Sequence, residues 1–316
     1  MQKDSRIYVA GHRGMVGSAI VRRLEAEGYS NILTRTRQEL DLTDEHAVAA
    51  FFDAERPEYV FMAAAKVGGI LANDTQPADF IRDNLLIQTH VIHHAWRTGC
   101  KKLLFLGSSC IYPRDCPQPI KEESLMTGPL EPTNSAYAVA KIAGIEMCQA
   151  YRRQHGFDAI CAMPTNLYGP GDNYDLQTSH VMAALLRKFH EAVERGDDEV
   201  VVWGTGKPRR EFLHVDDCAE ACLFLMQEYS EAQHINVGTG KDISIGELAT
   251  TIADSAGFRG RIVQDSSKPD GTMQKCMNCS KITKLGWHPS IPLVEGISEE
   301  LADAFTEDAS PASSPP

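Results

Sequence analysis

The chain has 316 residues, 43% of them apolar and 7% aromatic, enough to bury a sizeable core and to fold as one large domain with a smaller lobe. A formal net charge of -12 excludes a general nucleic-acid or acidic-membrane binder, since such partners need a positive footprint over a wide surface. No apolar run approaches the roughly 20 residues of a membrane span, and a strand-like segment begins within a few residues of Met1 with no signal peptide before it, so the expected compartment is the cytoplasm.

From Arg6 to about Met163, short apolar and β-branched runs alternate with helical patterns, which is how repeated βα units and a parallel sheet look in sequence. Strands are predicted over residues 7–10, 31–34, 59–62, 102–106 and 159–163, with helices over 15–27, 45–54, 78–98 and 135–154 between them. The fold class is therefore α/β, a doubly wound parallel sheet of Rossmann type with helices on both faces. After Pro164 the pattern loosens into a smaller, mixed α/β lobe: a loop rich in Gly, Pro and Asn over 166–175, a helix near 181–195, a strand at 200–203 and a helix near 217–229. Residues 244–256 read as a further helix, opened by Ser244 with Glu247 three residues on, the spacing of a capping box. The expected division is 1–172 for a cofactor-binding domain and 173–306 for a mainly substrate-binding lobe with some crossing of the chain between them. The acidic and then Ala-, Ser- and Pro-rich tail over 307–316 is expected to be disordered. Nine scattered cysteines, an odd number, read as separate buried or reactive thiols. Cys276 and Cys279 have C-x-x-C spacing, yet only His288 follows as a further ligand, so no metal is expected.

Directly after the first strand stands Gly11-His12-Arg13-Gly14-Met15-Val16-Gly17, in which a helix begins. Glycines at that spacing allow a tight turn, let backbone amides approach a pyrophosphate, and let the helix pack on the sheet with its positive end toward the anion. An NAD site would carry an acidic residue at the end of the second strand to bind the ribose hydroxyls. Here that strand ends Thr34-Arg35-Thr36-Arg37, and arginine forks, with Arg13 in the glycine loop, suit a 2′-phosphate, so the expected cofactor is NADP(H). Asp41 and Leu42 follow where such folds wall the adenine, and the run from Ala63 through Ala64 and Lys66 to Gly69 leaves small residues beside the cofactor.

Tyr137 and Lys141 are four residues apart in a helical stretch and so share one face. Reducing a ketone requires a proton donor at the carbonyl oxygen, and a tyrosine, of ordinary pKa near ~10, donates best beside an ammonium that stabilises its phenolate. Ser108 or Ser109, at the carboxyl end of the fourth strand after Gly107, adds a second hydrogen bond to that oxygen.

Taken together with Leu106-Gly107-Ser108-Ser109-Cys110-Ile111-Tyr112-Pro113, Pro164-Thr165-Asn166-Leu167-Tyr168-Gly169-Pro170 and Arg210-Glu211-Phe212-Leu213-His214-Val215-Asp216-Asp217, these motifs resemble the extended short-chain dehydrogenase/reductase family from about Ile7 to Trp287. Within it the likeness is to epimerase-reductases of GDP-linked 4-keto sugars. The resemblance implies a GDP-sugar substrate, inversion at C3 and C5 through an enolate, and reduction at C4. It places the catalytic groups on Ser108, Cys110, Tyr137, Lys141 and His180, the last two also touching the cofactor. Further cofactor contacts are implied for the loop Gly11 to Gly17, Arg37, Asp41, Leu42, Ala64, Leu106, Gly107, Pro164, Asn166 and Leu167. Substrate contacts fall on Lys188, Trp203, Arg210 and Asp270, with Lys188 standing where the family more often has arginine. Cys276-Met277-Asn278-Cys279 departs from the family's more aliphatic and acidic run. The resemblance also implies a homodimer paired through the two long helices near 78–98 and 135–154.

The rival readings are another sugar-nucleotide 4-epimerase, 4,6-dehydratase or 4-reductase of the same fold. A dehydratase would carry Asp-Glu beside its Ser/Thr where this chain has Ser109-Cys110, and the NAD-dependent rivals favour an acidic residue after strand two. A cofactor-sensing regulator without catalysis would usually lack Tyr137 or Lys141.

Overall fold

The structure, a computed structural model, describes residues 1–176, 178–268 and 270–305. The tail expected over 307–316 lies outside the described residues. In chain order the elements are β1 (Ile7–Ala10), α1 (Met15–Ala26), β2 (Ile32–Leu33), α2 (Glu45–Glu55), β3 (Tyr59–Met62), α3 (Ile70–Thr75), α4 (Pro77–Arg97), β4 (Lys102–Leu106), α5 (Ser135–His155), β5 (Ala159–Pro164) and β6 (Asn166–Tyr168). They continue with α6 (Val181–Arg195), β7 (Glu199–Trp203), β8 (Arg209–His214), α7 (Val215–Glu228), β9 (Ile235–Val237), β10 (Asp242–Ser244), α8 (Ile245–Ala256), β11 (Arg261–Asp265), β12 (Gln274–Lys275), α9 (Ser280–Leu285) and α10 (Leu293–Asp303).

Unbroken apolar runs such as Ile7–Ala10 and Ala159–Pro164 have no polar face to turn to water, so they suit a sheet covered on both sides. Six strands form the sheet in the order β2-β1-β3-β4-β5-β9, with every pairing parallel. From β1 the chain steps one way to β2 and then back across to β3, and right-handed crossovers therefore place α1 and α2 on opposite faces. Accordingly α1 packs with α7, whereas α2 packs with α4 and α4 with α5. The reversal of direction between β1 and β3 opens a crevice at the carboxyl ends of those strands, which is where such sheets bind ligands.

The lobe after β5 departs from the sequence reading: residues 166–168, expected within a loop, form β6, and β8 to β12 are further strands that reading did not predict. Arg209–His214 is a strand, β8, that the charged Arg209-Arg210-Glu211 start conceals, and it organises a small sheet with β6, β10 and β12. After α7 the chain returns to the main sheet as β9. Two hydrophobic cores result: a large one built on the parallel sheet, to which Leu213, Val237, Met277 and Trp287 also contribute, and a smaller one of Tyr168, Phe189, Phe212, Leu248, Ile252, Ile297 and their neighbours. The capping box at α8 forms as expected, with Ser244 Oγ accepting from the Glu247 N–H and Glu247 accepting from the Ser244 N–H. Among the described residues no helix is long and apolar enough to cross a membrane.

Candidate active site

The glycine loop lies between β1 and α1, and its geometry explains two of its glycines. Gly11 has φ +82°, and a Cβ there would stand 2.8 Å from the backbone of Ala64 on the loop after β3. A Cβ on Gly17 would stand 2.1 Å from the Gly11 carbonyl oxygen. Gly14, by contrast, caps α1 with room around its Cβ position, its nearest neighbour being 3.5 Å away. Nothing within the protein demands glycine at Gly14, and His12 Nδ1 is buried without a partner among the described residues. Both observations fit a pyrophosphate drawn to the amides at the start of α1. Met15, Val16, Leu42, Ala64 and Leu167 are partly buried around this crevice. Asp41 is fixed by the N–H and hydroxyl of Thr43 at 2.9 and 2.8 Å.

The three arginines near the end of β2 separate. Arg35 turns inward to Glu55 and lies over the Phe51 ring, so it is engaged within the protein. Arg13 and Arg37 are exposed and form no ion pair among the described residues, which leaves two free cations for a 2′-phosphate.

At the carboxyl end of β4, Lys141 reaches from α5 to donate to the Leu106 carbonyl oxygen at 2.8 Å. Its Nζ stands 5.8 Å from the Tyr137 ring centroid and 4.9 Å from that of Phe105. Burial lowers the lysine to about 8 and pushes the Tyr137 phenol above its ordinary value. A phenol raised in this way stays protonated at neutral pH and is a weaker acid, so its giving up a proton depends on a cation placed beside it, the position Lys141 occupies. Phe80 on α4 meets the Tyr137 ring edge-on at 6.3 Å. A Cβ at Gly107 would stand 2.3 Å from the Met163 sulfur, so a larger residue there would have to displace that side chain.

The chain turns sharply after Gly107. Ser108 remains half-buried at the crevice, whereas Ser109 is buried, so Ser108 is the one placed to meet a ligand. Ser108 Oγ accepts from the Cys110 N–H at 3.4 Å. Burial raises the Cys110 thiol; Lys275, Ser108 and Lys141 pull it back, Lys275 most.

Lys275 is the residue that sequence reasoning missed. It lies on β12, which pairs in parallel with β8 and sets Lys275 opposite Arg210. No motif surrounds it, so only the pairing of two segments remote in sequence brings it to Cys110 and His180. Its ammonium makes no hydrogen bond or ion pair among the described residues, and burial lowers its pKa. Its neighbour run is fixed by Glu211, wholly buried, which accepts from the Met277 and Gly240 N–H groups at 2.7 and 2.8 Å and lies 3.8 Å from Cys279 Sγ.

His180 is the N-cap residue of α6. The segment before it touches the loop after β3, since a Cβ on Gly69 would lie 2.6 Å from the Thr178 carbonyl oxygen. Its ring is reachable from solvent, and the walls around it, with the Lys275 charge, hold its pKa below the usual histidine value. Imidazole is therefore the form present at neutral pH.

Farther out, Trp203 is 60% exposed, with Lys188 Nζ 5.1 Å and Lys268 Nζ 5.3 Å from its ring centroid. Lys188 also donates to the Val201 carbonyl oxygen at 3.0 Å. Arg210 holds the Thr272 carbonyl at 2.5 Å and has no carboxylate partner among the described residues, whereas Arg187 and Arg209 are paired with Glu191 and with Asp242 and Glu247. Asp270 is exposed and accepts from the N–H and hydroxyl of Thr205 at 2.8 and 2.7 Å, so it fastens the Gly204-Thr205 turn beside Trp203. Asn166 donates to the Glu211 carbonyl oxygen at 2.8 Å, and the chain just after Pro164 is tied to β9 by the Thr165 N–H on the Val237 carbonyl oxygen at 3.0 Å.

Residues 7–238 match the NAD dependent epimerase/dehydratase family. The chain belongs to that family. A member from Arabidopsis thaliana described as a putative GDP-L-fucose synthase 2 is 60% identical over 95% of this chain and 91% of its own length. The GDP-L-fucose synthase of Escherichia coli strain K12 is 53% identical over 93% of this chain and 94% of its own. Among solved structures, a GDP-mannoheptose C4 reductase from Campylobacter jejuni with NADP bound is 41% identical and superposes with a TM-score of 0.88, covering 96% of this chain and 98% of the other. Family membership fits the parallel sheet, the glycine loop and the Tyr137–Lys141 pair described above.

Proposed function

We infer that this chain is an NADPH-dependent enzyme that converts GDP-4-keto-6-deoxy-D-mannose to GDP-L-fucose, by epimerisation at C3 and C5 followed by reduction of the C4 ketone. The observation that carries the reading is a reductase pair, Tyr137 and Lys141, in one crevice with a thiol, Cys110, in a chain 53–60% identical to GDP-L-fucose synthases. NADP(H) is the cofactor: NADP occupies the Campylobacter reductase, and Arg13 and Arg37 stand free here for the 2′-phosphate. When bound, NADPH supplies the hydride.

The C4 ketone acidifies the hydrogens on C3 and C5, so each centre inverts if a proton leaves one ring face and another arrives on the opposite face. Cys110 and His180 carry those protons from different elements. The enolate oxygen accepts from the Tyr137 hydroxyl and from Ser108 Oγ, the donors that later hold the ketone for reduction. As C4 is reduced, Tyr137 gives its proton to O4 and Lys141, held on the Leu106 carbonyl, stabilises the phenolate left behind. Arg210 and Lys188 bind the diphosphate end, with Trp203 and Asp270 beside the nucleoside. Residues 1–172 serve as the cofactor unit and 173–306 mainly as the substrate unit.

A homodimer paired through α4 and α5 belongs to the same reading. These two helices of 21 residues each lie side by side and leave Leu86 and Val139 exposed. A cytoplasmic location suits nine cysteines that are all unbridged.

The test is NADPH oxidation with GDP-4-keto-6-deoxy-D-mannose, run beside NADH, with the product identified by NMR. GDP-L-fucose formed with a preference for NADPH supports the reading. A product with unchanged C3 and C5 sinks the epimerase assignment, and no consumption of NADPH sinks the substrate.

A further inference from the structure

Three buried polar atoms near the start of α5 and the segment before His180 have no partner among the described residues: Oδ1 of Asn73, Oδ1 of Asn134 and Oγ of Ser179. Their segments meet at α3. Asn73 lies on it, the turn Pro132–Asn134 packs against it, and a Cβ on its capping residue Gly69 would lie 3.6 Å from the Ser179 carbonyl oxygen.

Asn134 differs from the other two. Asn73 spends its amide nitrogen on the Gly68 and Gly69 carbonyls at 2.7 and 3.0 Å, whereas neither polar side-chain atom of Asn134 is hydrogen-bonded among the described residues. Asn134 is the N-cap residue of α5, a position at which asparagine usually turns its oxygen onto the free N–H groups of the helix. Here it makes no such bond. Glu131 closes this turn instead, its Oε2 accepting from Thr133 Oγ1 at 2.6 Å and from the Asn134 N–H at 3.2 Å. The cap role is vacated, and a buried amide oxygen is left unmade, which is costly unless a ligand meets it.

Position says which ligand group that is. Asn134 is the N-cap residue of α5 and Tyr137 the third residue of the helix, the position whose backbone an N-cap side chain ordinarily reaches. Glu131 at the start of the turn is close enough to Lys275 for its charge to act on that ammonium. With the C4 oxygen at Tyr137, the amide of Asn134 reaches a substituent on the next ring carbon. C5 bears a methyl group and the ring oxygen, neither of which donates a hydrogen bond, whereas C3 bears a hydroxyl.

We propose that Asn134 is a substrate-specificity residue whose side-chain oxygen accepts the C3 hydroxyl of the 4-keto sugar. This rests on the function inferred above and deepens it: the site reads the hydroxyl beside the ketone, and so discriminates against 3-deoxy sugars. A site built to bond a hydroxyl rejects the analogue lacking it, because the protein group is then left unpaired.

The experiment compares the parent, Asn134→Ala and Asn134→Ser in NADPH oxidation with GDP-4-keto-6-deoxy-mannose and with its 3-deoxy counterpart. NADPH affinity is measured for each variant by fluorescence. The expected result is that Asn134→Ala lowers kcat/KM roughly 10- to 100-fold on the hydroxylated sugar. On the 3-deoxy sugar it changes by less than about threefold, the contact being already absent. Asn134→Ser, with a shorter polar group, falls between, and NADPH affinity is unchanged in both. Equal losses on the two sugars, or no loss on the hydroxylated one, overturn the proposal. Should neither variant fold, a parent that turns over the 3-deoxy sugar as efficiently as the hydroxylated one overturns it as well. A parent that consumes no NADPH with either sugar overturns the function reading, and this assignment with it; that failure is visible without any variant.

Discussion

The charge of Lys275, which lies outside any motif, acts on both Cys110 and His180. Burial alone would keep Cys110 a thiol, and the unpaired ammonium of Lys275 works against that; at His180 the same charge adds to burial in holding the pKa below the usual histidine value. Lys275→Met is therefore expected to move the ionisation of Cys110 to higher pH, read as an upward shift in the pH profile of its alkylation by iodoacetamide. Superimposable profiles would remove Lys275 from this role. The two stages of the reaction also separate by residue. Tyr137→Phe is expected to slow NADPH oxidation by roughly 10²- to 10⁴-fold while NADPH still binds. Cys110→Ser is expected to reduce solvent deuterium entry at C3 and C5 and to leave reduction of an already inverted 4-keto sugar near the parental rate. Parental deuterium entry in that variant would take the proton-transfer role away from Cys110. Of these residues, Tyr137, Lys141, Ser108 and Cys110 are legible in sequence because they fall within short segments. Lys275 is not, because it depends on β12 lying beside β8.

Among the elements, the turn from β1 into α1 has the least tolerance. Gly17→Ala would bring its Cβ within 2.1 Å of the Gly11 carbonyl oxygen and force the loop apart. The expected effect is a loss of NADPH affinity of roughly tenfold or more, measured by fluorescence titration, with the parallel sheet intact by circular dichroism. Unchanged affinity would mean that the loop is not the cofactor cradle. The loop from β6 to α6, which carries His180, is held differently. Tyr174 on it donates to the buried Glu300 of α10 and meets Phe305 edge-on, and Asp172 beside it is raised to about 7, chiefly by burial. A carboxyl of ordinary pKa 3.8 that rises to about 7 on folding binds more protons folded than unfolded, so its contribution makes stability fall as pH climbs between those values. Asp172→Asn is expected to flatten that part of the pH dependence and to raise the melting temperature at about pH 8 relative to the parent. Parallel melting curves across about pH 5 to 8 would count against it.

On the scale of the whole molecule, the crevice lies where the carboxyl edge of a six-stranded sheet faces a second, smaller core. The proposed pairing through α4 and α5 predicts a dimer mass by light scattering at micromolar concentration, and Leu86→Lys with Val139→Lys, charges placed in an apolar contact, is expected to yield monomers. A monomeric parent would end the proposal. By itself the sequence determined the cofactor half: alternating apolar runs, a glycine loop and a tyrosine–lysine pair are local patterns, each decided within a few residues by sterics or helical spacing. Only the tertiary structure decided the rest. Arg209–His214 becomes a strand because β6, β10 and β12 pair with it despite its charges, β9 rejoins the main sheet from the far side of α7, and Arg35 is drawn into an ion pair with Glu55. These outcomes depend on contacts between residues distant in sequence, and hydrophobic period and turn signals do not encode which remote segment becomes a neighbour.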